Sequence, residues 1–201
     1  MSPPSAKATA TKHRILQAAN KLFYLHGYNA TGLDTIIREA GITKGNFYYY
    51  FKSKEILAAA VLDWHFEKTT EEIQQQLQSA NLTALQSLFA ILEGIEARQF
   101  HQQGEGMVCG CFFGNFTLEM STDSTLVRNK VNTIFQRYLK NFSNLLDQAK
   151  AAGEVSPSID SEAEASVILS LMEGALILDK ASQQPKAITQ AIQFIKTHLS
   201  R

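Results

Sequence analysis

The chain has 201 residues, 45% of them hydrophobic, with 4 Pro, 11 Gly, 2 Cys and a formal net charge of zero. That length supports a buried core, the composition excludes a disordered or collagen-like chain, and two cysteines exclude a disulfide framework. The neutrality is unevenly divided. Residues 1–65 hold 8 Lys and Arg against 4 Asp and Glu, a net of +4, whereas the other 136 residues hold 11 against 15, a net of −4. Such asymmetry predicts that one end meets a polyanion.

The opening MSPPSAKATA has no periodicity and no apolar signal block, so residues 1–10 read as a flexible arm and the protein as cytoplasmic. From Thr11, the spacing of Ile15, Ala18, Ala19, Leu22 and Phe23 predicts a helix that Gly27 ends. Thr31, with Asp34 three residues on, resembles a capping box and predicts a short helix buried through Leu33, Ile36, Ile37 and Ala40. After a tight turn at Gly41, Thr43 is an N-cap for a helix from Lys44 to about Tyr50, with Phe47 and Phe51 on one face. Ser53 caps a fourth helix through Ile56, Leu57, Ala60, Val61 and Trp64, extending toward Leu77.

The remainder is helical in pattern, with no alternating strand segment. Leu85, Leu88, Phe89, Leu92 and Ile95 mark one helix, and Gln102–Gly106 a break. Met107 to about Ser121 reads as a short apolar helix, and Val127 to Ala149 as a longer one that ends near Gly153. Asp160 or Ser161 starts a helix through Leu178, and Ile188 to Leu199 mark the last. The run Val167 to Leu178 is broken by Ser170 and Glu173 and is too short to span a bilayer, so no membrane partner is expected. The fold class is therefore all-α with about nine helices: 1–10 an arm, 11–55 a small basic module, 56–201 a larger helical body.

An enzyme would need a nucleophile with its base, a phosphate loop or a metal cluster. Five scattered histidines and the pair Cys109 and Cys111 supply none of these, so no catalytic residue, metal or cofactor is expected.

The stretch ITKGNFYYYFKSKEIL, residues 42–57, interleaves aromatic rings with lysines. Two short helices joined by a glycine-containing turn, the second opening Thr-Lys-Gly, form a helix-turn-helix pattern, whose second helix enters the DNA major groove. The longer segment ILQAANKLFYLHGYNATGLDTIIREAGITKGNFYYYFKSKEIL resembles the N-terminal region of the TetR family of transcriptional regulators, over residues 11 to about 62. The resemblance implies that Thr31, Thr43, Lys44, Gly45, Asn46, Tyr48, Tyr49 and Lys54 match DNA-contacting positions. Tyr50 departs from a histidine frequent there. Lys44 and Asn46 are the expected base readers, because Lys reaches guanine acceptors and an amide pairs with adenine; Thr31, Thr43, Tyr48, Tyr49 and Lys54 are expected on phosphates.

One short recognition helix reads few base pairs, so a homodimer on a palindromic operator of double-stranded DNA is expected. Val167, Leu171, Gly174, Ala175, Leu178, Ile188, Ile192 and Ile195 are the expected dimer interface. A small, largely apolar effector is expected among Trp64, Phe89, Cys111, Phe112, Asn115, Phe116, Glu119 and Glu173, which combine aromatic surface with a few polar groups. Release of a repressor by that effector is the expected output, with the fourth helix carrying the signal. Two alternatives stand beside it. Cys109 and Cys111, in a "GC" segment resembling that of some family members, could form a thiol-based redox or electrophile sensor if a helix N-terminus lowers a thiol pKa. The N-terminal module could instead serve a helical interaction protein that does not bind DNA.

Overall fold

The computed structural model describes residues 6–78 and 80–200. Among them are nine α-helices and no strand: α1 (Ala6–His26), α2 (Leu33–Glu39), α3 (Lys44–Tyr50), α4 (Lys54–Gln78), α5 (Ala84–Gly104), α6 (Phe112–Met120), α7 (Thr125–Ala151), α8 (Ser161–Ser182) and α9 (Lys186–Leu199).

Helix α1 starts five residues earlier than its apolar spacing suggests, because alanines at positions 6, 8 and 10 favour helix without contributing a periodic face. The expected flexible arm is thus helical over residues 6–10, and residues 1–5 lie outside the described residues. Gly27 ends α1 at φ +82°, its N–H donating to the Phe23 carbonyl at 2.9 Å. The capping box expected at Thr31 is absent. Gly32 is the N-cap of α2 and no side chain caps it. Thr31 is buried, and its hydroxyl donates backward to the Gly27 carbonyl at 2.6 Å, which turns it away from the α2 amides.

Helix α3 has the predicted limits, with Thr43 Oγ1 accepting from Asn46 N at 3.2 Å. Ser53 Oγ accepts from Ile56 N at 3.1 Å at the start of α4. Helix α5 opens with a capping box between Thr83 and Gln86 and runs to Gly104, into the expected break. Helix α6 is shorter than predicted, beginning at Phe112 rather than Met107. Gly110 has φ +72°, and the backbone before it is paired outside any helix: Gln183 accepts from Val108 N and donates to Val108 O, while Gln102 accepts from Cys109 N. Asp160 caps α8 by accepting from Glu162 N and Ala163 N, and the helix continues past Leu178 to Ser182.

The chain forms two compact units. The first joins α1, α2, α3 and α4 as far as Thr69 with residues Asn115–Asn132; the second comprises Thr70–Gly114 and the chain from Thr133 onward. The first unit is therefore wider than the 11–55 module expected from sequence. Its buried side chains include Ile15, Phe23, Ile36, Phe47, Leu57, Leu62 and Phe116.

In the second unit, Leu88, Leu92, Leu146, Ile168, Met172, Ile188, Ile192 and Ile195 belong to one apolar core. Asp179 is buried there, and its carboxylate is satisfied by Ala187 N and Ile188 N at 2.7 and 3.0 Å. Those amides open α9, where an anion is favourable. No described helix is long and apolar enough to cross a membrane.

Candidate nucleic-acid interface

Helix α3 divides its side chains sharply. Phe47 and Phe51 are buried and bind the helix to its unit, whereas Lys44, Gly45, Asn46, Tyr48 and Tyr49 are exposed, Tyr49 at 76%. The rings of Phe47 and Tyr48 meet edge to face at 5.3 Å, and those of Tyr49 and Tyr50 at 4.9 Å. Each outward phenol is therefore braced by a second ring at little entropic cost, which leaves its hydroxyl for a partner. A Cβ at Gly45 would meet only Thr43 Oγ1, at 3.9 Å, so nothing within the chain requires glycine there. A close-approaching external backbone would. Thr43 uses its oxygen as a cap acceptor and keeps its hydroxyl proton for donation.

Two of the expected DNA contacts are engaged elsewhere. Thr31 is buried with its hydroxyl committed to the Gly27 carbonyl. Lys54 Nζ donates to the Tyr28 carbonyl at 2.6 Å and lies 4.0 Å from the centre of the Tyr28 ring. Burial lowers its pKa, and the Glu119 carboxylate opposes that shift. Both residues brace the α1–α2 turn in this structure; Thr31 is too buried to meet a phosphate, and the role expected of it is corrected to a structural one. Lys52, exposed between α3 and α4, has no place among the expected contacts, although it lies as near Tyr48 in sequence as Lys44 does, its Nζ 3.4 Å from the Tyr48 carbonyl.

The candidate effector residues separate between the units. Phe116 packs edge to face on Phe23 at 5.6 Å, Asn115 is buried, and Glu119 accepts from Asn29 N at 2.8 Å. Trp64 makes an edge contact with His13 at 5.6 Å, with Lys68 Nζ 5.4 Å from its ring centre. These four belong to the first unit, where Phe116 and Glu119 serve as packing and turn contacts.

In the second unit, the Cys111 thiol hydrogen-bonds to the Glu173 carboxyl, and Cys111 Sγ accepts from Gly114 N at 3.3 Å. Phe112 and Phe113 meet at 5.8 Å, and Phe113 reaches the Tyr138 ring at 5.9 Å. Phe113 and Tyr138 were not among the expected residues; their only sequence signal is an aromatic beside Phe112 and one in the α7 stripe. Phe89 packs against the core, with Lys196 Nζ 5.6 Å from its ring.

The expected lowering of a cysteine pKa is overturned. Burial, followed by the nearby Glu173, pushes the Cys111 thiol well up, and burial also raises Cys109. The helix-terminal amide of Gly114 does favour a Cys111 thiolate but is outweighed. Burial likewise raises the Glu173 carboxyl, partly offset by the Cys111 hydrogen bond, and the Tyr138 phenol.

The expected dimer residues also separate. Ala175, Ile188, Ile192 and Ile195 are core residues, a correction that follows from their phase: they lie on the sides of α8 and α9 that face each other within the chain. Leu171 is half-buried against that core. Val167, Gly174 and Leu178 share the opposite, exposed face of α8, Leu178 at 62%. Phe194 on α9 is 60% exposed and stacks on His198. It was missed, although its position off the Ile188, Ile192, Ile195 stripe is a legible sign of a second apolar face.

An all-helical chain whose N-terminal helix pair presents lysine, asparagine and tyrosines from the start of its second helix is a helix-turn-helix DNA-binding regulator. Residues 15–61 match the model for bacterial regulatory proteins of the tetR family, and residues 84–195 match the tetracyclin repressor-like C-terminal domain. The chain belongs to the TetR family of transcriptional regulators. It is similar to the HTH-type transcriptional repressor DhaR of Mycobacterium sp. (strain GP1), at 24% identity over 191 residues, covering 93% of this chain and 91% of that one. It is also similar to the HTH-type transcriptional repressor NemR of Escherichia coli K12, at 24% over 190 residues and 92% of each. Among solved structures, a TetR transcriptional regulator from Chloroflexus aurantiacus superposes with a TM-score of 0.85 at 26% identity, covering 98% of both chains. The reduced form of E. coli NemR gives 0.83 at 24%, covering 93% of this chain and 95% of that one.

Proposed function

We propose that the protein is a cytoplasmic repressor that binds a palindromic operator as a homodimer and leaves it when a small, largely apolar effector occupies the helical body. The observation that carries the reading is the outward row Lys44, Asn46, Tyr48 and Tyr49 on a helix anchored by buried Phe47 and Phe51. Lys44 and Asn46 have the donors to read base edges, while Thr43, Tyr48 and Tyr49 have hydroxyls for phosphates. The exposed apolar face of Val167, Gly174 and Leu178, together with Phe194, supports pairing with a second copy.

For the effector, the supporting group is Cys111, Phe112 and Glu173 with Phe113 and Tyr138, an aromatic surface carrying a few polar atoms. Repression is the output named for the similar DhaR and NemR. Both thiols are harder to ionise than a free cysteine, which favours the effector reading over thiolate sensing. Selection of bound fragments from random DNA tests the reading. Recovery of an inverted repeat supports it, and failure to enrich any sequence contradicts it.

A further inference from the structure

The turn between α1 and α2 is held by side chains from outside the helix-turn-helix. Three successive residues, Gly27, Tyr28 and Asn29, are each gripped. Glu119, on the last turn of α6, accepts from Asn29 N at 2.8 Å through Oε2. Its Oε1 lies where a Gly27 side chain would begin, 2.5 Å from an ideal Cβ, so the carboxylate rests directly on the glycine backbone. From α4, Lys54 Nζ donates to the Tyr28 carbonyl at 2.6 Å and lies over the Tyr28 ring. Phe116, one turn before Glu119, packs against both Phe23 and Tyr28. An anion on one peptide N–H and a cation on the neighbouring carbonyl thus fasten one short turn from two elements. All of these residues belong to the first compact unit.

Helices α2 and α3 have seven residues each, too short to be stable or oriented by themselves. Their pose depends on the packing of buried Ile36, Phe47 and Phe51 and on what holds the turn from which they hang. We propose that Glu119 is a positioning residue for DNA binding: its carboxylate fixes the Gly27–Asn29 turn and thereby the pose of the α2–α3 reader. The inference rests on the DNA-binding function above and assigns to α6 a role in DNA affinity that requires no contact with DNA.

A charge effect and a positioning effect have opposite signs here. Removing an anion from a DNA-binding unit would, by charge alone, tighten binding to phosphates. Loss of the hydrogen bond would weaken it. Glu119→Gln and Glu119→Ala remove the same charge, but only Gln keeps an oxygen that can accept from Asn29 N.

The experiment uses the full chain and the palindrome that the unaltered protein selects from random DNA. Affinity is read by fluorescence anisotropy, and exchange of the Asn29 amide by NMR. Glu119→Ala is expected to weaken binding about tenfold, the scale of one charge-assisted hydrogen bond, and Glu119→Gln to remain within about threefold of the parent. The Asn29 amide is expected to be protected in the parent and in the Gln variant and to exchange freely in the Ala variant. Equal or tighter binding by Glu119→Ala overturns the inference, and so does an Asn29 amide that exchanges freely in the parent. The exchange measurement on the parent stands even where Glu119→Ala fails to fold. Failure of the parent to select any DNA counts against the DNA-binding reading instead, and the amide measurement still decides the turn contact.

Discussion

Helices α3 and α6 have similar compositions on paper and opposite fates in the fold. Each is short, glycine-containing and crowded with aromatic rings beside an asparagine. In α3 the rings divide, with Phe47 buried and Tyr48 and Tyr49 exposed beside Lys44. In α6 the rings of Phe112, Phe113 and Phe116 are all buried, and the carboxyls of Glu119 and Glu173 accept hydrogen bonds within the chain. The difference lies in the hydroxyls and the cation. A phenol beside lysine gains by facing an anionic partner, while an unsubstituted ring gains only by leaving water. Mixed aromatic and polar character therefore marks a reading surface when Tyr and Lys supply it, and a structural joint when Phe and Glu do.

The largest expected effect that sharpens this contrast is on α3. Lys44→Ala with Tyr48→Ala should reduce operator affinity about 100-fold, by loss of one base contact of about 1–3 kcal/mol together with one phosphate contact. Because both residues are exposed, circular dichroism and the melting temperature should scarcely change; full retention of binding would break the assignment. On the opposite face of the same helix, Phe47→Ala should cost about 3–5 kcal/mol in denaturant unfolding, since it empties a fully buried site. Tyr49→Ala should remain within about 0.5 kcal/mol of the parent. Similar losses at both positions would mean that the two faces of α3 are not as distinct as described.

How far the sequence disclosed this division depends on the kind of signal. The limits of α3, its Thr43 cap and its outward residues were legible because local pattern and tertiary role agree there. Thr31 was misread because a hydroxyl looks the same in sequence whether it meets a phosphate or a carbonyl four residues away, and the Lys54 ammonium gives no sign in sequence of the Tyr28 carbonyl 26 residues away. Glu119 likewise gives no sign in sequence of its partner at Asn29, 90 residues distant. The non-helical segment 107–111 was concealed because the groups that pair its backbone, Gln102 and Gln183, give no local sign. In α8 and α9 the apolar positions were recognised, but chain-internal core and outward face were not separated. Phase against a neighbouring helix decides that, and periodicity alone does not supply it.

A smaller effect tests the outward face. Leu178→Asp with Phe194→Glu should shift the protein toward monomer in sedimentation velocity and weaken binding to a full palindrome more than to a half-site. An unchanged oligomeric state would move the interface elsewhere.

The smallest effect concerns Glu173, whose folded pKa is raised by burial. A raised acid binds its proton more tightly in the folded state, so stability falls as pH rises from the usual carboxylate range through the folded pKa. Measured across that window, the stability of Glu173→Gln relative to the parent should move in favour of Gln as pH increases. A pH-independent difference would show that the carboxyl titrates normally.

The central claim, that the outward face of α3 reads duplex DNA from a paired molecule, is tested most directly by titrating the selected DNA at several salt concentrations. The account predicts an inverted repeat with half-sites centred about one or two helical turns apart, and affinity that falls steeply in log–log form with salt. It also predicts a shallower slope once Lys44 is replaced by Ala. Binding that ignores both salt and the state of Lys44 would contradict it.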